Sequence, residues 1–206
     1  MKARAGAVGL LAALVLSVAP SAMAEETECV GTIGATTVDN LRVPEGETCT
    51  LTGTKVKGTV KVETDATLKA MGVRVIGNVQ AEEATKVVVR DNSKVGGSIQ
   101  IVQGENAKVL GSRINGDILY DEQFGRLKVN DNRIGGQLQT FQNDGLLTMN
   151  DNRIEGDLQA FENVGGPLTI TANRIDGNLQ CKENVPAPTG GGNVVQGNKE
   201  DQCASL

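Results

Sequence analysis

Apolar and polar residues alternate in short runs along the chain, and the whole pattern returns every 19 to 21 residues. Each repeat contains a basic residue, a β-branched aliphatic residue, a variable residue and a glycine, as in residues 113–116 and 153–156. Aliphatic residues lie two positions before and two positions after that glycine, and polar residues separate them. Alternation with a period of two predicts short strands with one buried face.

A further apolar patch lies upstream of the glycine in each repeat, so every repeat supplies about three short strands. A unit of this size is too small to bury its own apolar face, and copies of it must stack. The sequence therefore predicts an all-β, single-domain parallel β-helix of about eight coils of 19–21 residues. A helix bundle is excluded because a 3.6-residue period is missing and the chain contains 26 glycines.

Polar residues also form columns when the repeats are aligned. Asparagines recur four residues before the glycine and seven residues after it, and these are Asn132, Asn152, Asn173 and Asn193, and Asn143, Asn163 and Asn184. Stacked asparagines form hydrogen-bonded ladders and tolerate corner conformations, so we expect them to stabilise the turns. The repeated glycine is expected at a corner where a side chain would be crowded or φ is positive.

The four cysteines fit the same period. Cys29 and Cys49 are 20 residues apart, and Cys181 and Cys203 are 22 apart, so each pair spans about one repeat. Adjacent strands lie about 4.8 Å apart, close to the Cα separation that a disulfide accepts. We therefore predict one disulfide near each end, Cys29–Cys49 and Cys181–Cys203. No metal site or cofactor is predicted, because the chain has no histidine and no Cys-x-x-Cys motif.

The beginning of the chain is typical of a secretory signal peptide. Lys2 and Arg4 precede a largely apolar run at 7–19, and residues 22–24 form a small-x-small cleavage site. Cleavage would leave 18 basic and 25 acidic residues, a net charge of about −7, which disfavours nucleic acid as a partner. The predicted divisions are a signal peptide at 1–24, an N-terminal cap and irregular first coil at 25–48, β-helix repeats at 49–185, and a C-terminal coil with a polar cap at 186–206.

The Arg-Ile-x-Gly-x-Leu-Gln cores and the tail at 178–184 resemble those of secreted bacterial right-handed parallel β-helix repeat proteins, many of which have no known function. The resemblance covers residues 41–203 and implies a right-handed coil. The wider shape is similar to that of pectate lyases and of polymer-forming bactofilins. Capped ends argue for a monomer instead of a bactofilin-like polymer.

Two outward columns are the candidate sites. One is a basic stripe with one cation per coil, formed by Lys55, Arg74, Lys94, Arg113, Arg133, Arg153 and Arg174. At roughly 5 Å spacing, neighbouring cations repel by about 0.8 kcal/mol in water. We expect Asp117, Asp157, Glu155 and Asp176 to relieve that repulsion. The other column is a glutamine stripe formed by Gln80, Gln100, Gln139, Gln159 and Gln180, which Leu119 interrupts.

These observations predict a secreted, periplasmic or cell-surface β-solenoid with a structural or binding-scaffold role and no evident catalysis. The basic stripe fits either a salt-bridged exposed face or a track for an acidic polysaccharide of the envelope or extracellular matrix, and the glutamine stripe fits a neutral one. A polysaccharide lyase is a further alternative, although the commonest general base, histidine, is missing. No membrane anchor is predicted in the mature chain.

Overall fold

The computed structural model describes residues 25–206, and the predicted signal peptide lies outside the described residues. The described chain is all-β and forms a parallel β-solenoid. Within it, no helix is long and apolar enough to cross a membrane.

Three strands per turn build the solenoid. In chain order they are β1 (Glu26–Glu28), β2 (Gly31–Ile33), β3 (Thr37–Val38), β4 (Asn40–Val43), β5 (Thr48–Thr52), β6 (Lys55–Val56), β7 (Val60–Val62), β8 (Thr67–Met71), β9 (Arg74–Val75), β10 (Val79–Glu82), β11 (Lys86–Arg90), β12 (Lys94–Val95), β13 (Ile99–Val102), β14 (Asn106–Leu110), β15 (Arg113–Ile114), β16 (Ile118–Asp121), β17 (Phe124–Asn130), β18 (Arg133–Ile134), β19 (Leu138–Phe141), β20 (Asp144–Asn150), β21 (Arg153–Ile154), β22 (Leu158–Phe161), β23 (Leu168–Thr171), β24 (Arg174–Ile175), β25 (Leu179–Lys182), β26 (Thr189–Gly191), β27 (Val194–Val195) and β28 (Lys199–Asp201).

Every third strand joins the same sheet. Sheet A contains ten strands from β1 to β28, sheet B nine strands from β2 to β26, and sheet C nine strands from β3 to β27, all paired in parallel. The predicted fold class is confirmed, with about nine turns in place of eight. The larger count arises because the segments before residue 39 and after residue 188 also pair with the sheets. The right-handed sense stays a prediction.

The aliphatic columns fill the interior of the solenoid. The residues two positions before the glycine line sheet C, and those two positions after it line sheet A; they are Val56, Val75, Val95, Ile114, Ile134, Ile154 and Ile175, and Val60, Val79, Ile99, Ile118, Leu138, Leu158 and Leu179. Each of these side chains is at most 2% exposed. Tyr120, the only tyrosine, is fully buried among them, and desolvation raises the pKa of its hydroxyl.

Two asparagine ladders stabilise the corners of the later turns, as predicted. Between sheets B and C, Asn132, Asn152 and Asn173 each donate from Nδ2 to the Oδ1 of the next ladder member at 2.9–3.1 Å. The second ladder runs along the corner between sheets A and B, through Asn143, Asn163 and Asn184. Each Nδ2 also donates to a backbone carbonyl, so these buried amides are hydrogen-bonded along the axis.

Crowding, not a positive φ, explains the repeated glycine. A Cβ at Gly77 would lie 2.7 Å from the carbonyl oxygen of Gly58 in the previous turn, and one at Gly156 would lie 2.8 Å from that of Gly136. Neither Gly77 nor Gly156 has a positive φ. The turns therefore approach so closely at this corner that any side chain would force the stack apart.

Both predicted disulfides form. The Cα atoms of Cys29 and Cys49 lie 5.5 Å apart, and those of Cys181 and Cys203 lie 5.3 Å apart. Each bridge joins neighbouring turns at one end of the solenoid, where the terminal strand of a sheet is hydrogen-bonded to a neighbouring strand on one side only.

Replacing Asn152 with alanine tests the ladder between sheets B and C. Asn152 Nδ2 donates to the carbonyl of Val129 and to Asn173, and its Oδ1 accepts from the backbone and side-chain amides of Asn132. Because the truncation leaves buried partners unpaired, Asn152→Ala should lower the free energy of unfolding by about 2–4 kcal/mol. Chemical denaturation measures the loss, and the exposed Asn198→Ala is the control. Equal stability of the two variants would contradict a stabilising ladder.

Candidate functional site

The basic stripe is a ladder of cations on the outer face of sheet C. Lys55 pairs in register with Arg74, and the register continues through every later member of the stripe to Arg174. All seven residues are exposed, because the following residue of each two-residue strand points into the core. We call these seven residues the cation ladder. Strand pairing places one cation about every 4.8 Å along the solenoid.

Carboxylates neutralise only the last three cations of the ladder. Glu155 Oε1 lies 2.9 Å from Arg133, and Asp176 lies 3.9 Å from Arg153 and 3.7 Å from Arg174. Two of the four acids expected there therefore pair with arginines. Among the described residues, three of the seven cations of the ladder therefore form salt bridges.

The expected role of Asp117 and Asp157 was wrong. Asp117 Oδ1 accepts the backbone N–H of Gln137 at 2.8 Å, and Asp157 Oδ1 accepts that of Asn178 at 2.7 Å. Both side chains lie at the corner between sheets C and A, where each accepts a backbone N–H of the next turn. Closeness to an arginine in the sequence did not predict an ion pair, because the chain changes direction at the glycine between the arginine and the aspartate.

The first four cations have a different environment. Within residues 25–206, Lys55, Arg74, Lys94 and Arg113 have no carboxylate oxygen within 4.0 Å. The positions two residues farther along, on the same outer face, are Lys57, Ile76, Gly96 and Asn115, and none of them is acidic. We call Lys55, Arg74, Lys94 and Arg113 the unpaired cations. Arg113 donates to Asn115 Oδ1 at 3.4 Å, and otherwise solvent and salt screen the repulsion among these cations.

A shallow depression runs beside the unpaired cations. It has a volume of about 600 Å³ and is lined by Arg74, Ile76, Lys94, Gly96, Arg113 and Asn115. A second depression of about 250 Å³ follows, lined by Arg113, Asn115, Arg133, Gly135 and Glu155. Gly96 and Gly135 supply the floor: a side chain at either position would collide with the backbone of the previous turn. The cations therefore line a shallow, solvent-exposed groove and not a flat surface.

The glutamine stripe lies on the outer face of sheet A. Gln80 donates to Gln100 at 3.2 Å, and a second run passes from Gln139 through Gln159 to Gln180 and ends at Glu200, with distances of 2.8–2.9 Å. Strand pairing places Leu119 between Gln100 and Gln139, which divides the stripe into two parts. Gln159 and Gln180 thus both donate and accept within the stripe, whereas Gln80 and Gln139 only donate and Gln100 only accepts, and the remaining N–H groups and lone pairs face solvent.

An aromatic pair lies beside the glutamine stripe. The rings of Phe141 and Phe161 stack with centroids 5.5 Å apart, and both side chains are partly exposed on the outer face of sheet A. Asp121 lies next to Phe141 in the register, and desolvation, with the charge of Glu122, raises the pKa of its carboxyl.

Alignment of the repeats did not reveal a second group of cations, which lies on the outer face of sheet B. Its members are Lys69, Lys86, Lys108, Arg126 and Lys128, and we call them the sheet B cations. They alternate with buried residues inside β8, β11, β14 and β17, so alternation within the strands was the signal for them. Alignment of the repeats on the glycine that follows each sheet C strand did not reveal these cations, because they do not recur at one position of every repeat.

The acidic residues concentrate elsewhere. A column at the corner between sheets A and B contains residues that all have positive φ: Asp65, Glu83, Gln103, Glu122, Gln142, Glu162 and Glu183. Gln103 donates to Glu122 at 2.7 Å and Gln142 to Glu162 at 3.1 Å, so amides separate the carboxylates of Glu83, Glu122 and Glu162. Within residues 25–206, no group of three or more Asp, Glu, Cys or His side chains is placed to hold a metal ion.

The fold and the outer columns define this chain as a parallel β-solenoid protein with ladders of like side chains on its surface. No family model, no curated protein and no solved structure matches it.

A charge reversal in the ladder tests whether the unpaired cations repel one another. Lys94→Glu places a carboxylate between Arg74 and Arg113 in the register, so it should raise Tm by about 1–3 °C at low salt. Arg153→Glu is the matched control, because its new carboxylate would lie near Asp176. Thermal melting at low and high salt measures both effects. If the Tm of Lys94→Glu at low salt equals that of the natural protein, the unpaired cations do not repel one another.

Proposed function

We propose that this protein is an exported structural and binding scaffold, a rod that presents ladders of side chains to a partner in the envelope or outside the cell. The observation that carries the proposal is the unbroken pairing of three sheets over about nine turns. Two disulfides support export, because such bridges persist in oxidising compartments. The apolar run at 7–19 and the resemblance to secreted bacterial β-helix proteins support it as well.

A scaffold of this kind holds its outer columns rigidly. The corners are tight and the polar side chains within them are hydrogen-bonded between turns. A ligand therefore meets charges whose spacing is already set, and little conformational entropy is lost when it binds. This rigidity gives a physical reason for building a binding surface on a solenoid.

The disulfides should make the rod resistant to heat under oxidising conditions. Each closes a loop of about one repeat, worth about 3 kcal/mol in the chain-entropy model. Addition of a reductant should therefore lower Tm, as followed by circular dichroism. The variant Cys181→Ser/Cys203→Ser should melt between the oxidised and the reduced protein, since it keeps Cys29–Cys49. Unchanged melting after reduction would remove the argument that the bridges stabilise the scaffold.

The ligand class that the surface supports best is an acidic polysaccharide. The observation that favours it is the row of unpaired cations beside an open depression. Arginine presents a planar fork that binds carboxylates bidentately. A linear polymer with one carboxylate per sugar carries charges in a row, as the ladder does, so several ion pairs form along one chain.

Binding of a short oligogalacturonate, measured by isothermal titration calorimetry, tests this ligand class. Arg74→Glu/Arg113→Glu removes two unpaired cations and should weaken binding by about ten-fold or more at low salt. The control Arg153→Glu/Arg174→Glu makes the same change in net charge where carboxylates already pair with the arginines, and should weaken binding much less. Equal losses in both variants would mean that net charge, and not the unpaired half of the ladder, governs binding.

A further inference from the structure

The sheet B cations form a second basic surface that the ladder on sheet C does not include. Lys108 pairs in register with Lys128, and Lys69 continues the same column with Val88 between them. Lys86 lies in the neighbouring outward column, opposite Asn106. The strands β8, β11, β14 and β17 contain no aspartate or glutamate. Four consecutive strands thus present cations and no carboxylate to the outside.

These cations also lack carboxylate partners from neighbouring elements. Within the described part of the chain, none of the five has a carboxylate oxygen within 4.0 Å. Of the acidic residues of the same turns, Glu82, Glu83 and Glu122 lie at the corner between sheets A and B or at the end of a sheet A strand, whereas Asp91 and Asp131 lie at the corner between sheets B and C. Asp91 pairs there with Arg90, the last residue of β11, at 3.4 Å. The carboxylates thus stand at the corners, and the strands of sheet B between those corners are basic although the protein has a net charge of −5.

The two basic surfaces are separate faces of one rod. Sheets B and C meet at a corner formed by Gly72, Asp91, Gly111 and Asp131, all with positive φ, and their outer faces point away from the core on either side of it. The sheet B cations and the unpaired cations occupy the same turns, from about residue 55 to residue 128. A ligand lying along one face therefore leaves the other accessible.

We propose that this protein is bivalent for acidic polysaccharide and cross-links it, with one chain on the unpaired cations of sheet C and a second chain on the sheet B cations. The proposal rests on the ligand class proposed above. Both surfaces carry cations in columns parallel to the rod axis, at spacings set by strand pairing, so each is complementary to a linear polymer with regularly repeated carboxylates. The partly exposed Val88 lies between Lys69 and Lys108 and offers an apolar contact for the carbon face of a sugar.

A two-chain capture assay tests the bivalency. Short oligogalacturonate is attached sparsely to beads, the oxidised full-length mature protein is bound to them, and a fluorescent oligogalacturonate is then added. Lys108→Gln/Lys128→Gln should still bind the beads through sheet C, but its capture of the fluorescent chain should fall by about ten-fold. The control Thr169→Glu/Thr189→Glu makes the same change in net charge at outward positions of the same column that do not adjoin Lys128, and should capture nearly as much as the natural protein.

The ladder variant Arg74→Glu/Arg113→Glu gives the reciprocal test. It should bind the beads through sheet B and also lose capture of the second chain. A natural protein that binds the beads but captures no fluorescent chain would overturn bivalency and leave the proposed ligand class standing. Failure to bind the beads at all would overturn both. Normal capture by Lys108→Gln/Lys128→Gln would likewise overturn the role of the sheet B cations.

Discussion

In-register parallel pairing is the constraint on which the rest of this structure depends. Because each turn repeats the last, every residue lies above and below its own equivalents at the spacing of a β-ladder. Aliphatic side chains are stabilised by this arrangement, because each packs against its equivalents away from water, and the core is a set of aliphatic columns. Polar side chains must be able to bond to copies of themselves. Asparagine and glutamine can, since each amide both donates and accepts, and the corners and sheet A use them in that way.

Charged side chains cannot bond to copies of themselves, and the solenoid deals with them in two ways. At the corner between sheets A and B, glutamines alternate with glutamates and share hydrogen bonds with them. On sheet C, Glu155 and Asp176 neutralise the later arginines. Neither arrangement is found around Arg74, Lys94 and Arg113, and on the outer face of sheet B Arg90 pairs with Asp91 whereas Lys69, Lys108 and Lys128 have no carboxylate partner within the described residues.

The later and earlier turns of the rod therefore differ. Asn152 and Asn163 belong to ladders that begin near residue 132, whereas Ser93, Ala84 and Gly104 occupy the equivalent corners of earlier turns. The ion pairs of the cation ladder follow the same division, since they involve Arg133, Arg153 and Arg174. The later turns carry the asparagine ladders, and the earlier turns carry the members of the cation ladder that have no carboxylate partner.

The repeat period was enough to predict the fold, the inward columns, the asparagine ladders and both disulfides, because all of these depend on which residues share a column. Strand pairing turns a sequence offset of about 20 residues into direct contact. What lies beside a column was not predictable in this way. Asp117 lies four residues after Arg113 and Glu155 lies two residues after Arg153. Nevertheless Asp117 accepts a backbone N–H, whereas Glu155 forms an ion pair with Arg133 of the previous turn. The direction in which a side chain leaves a corner decides this, and only the folded turn sets that direction.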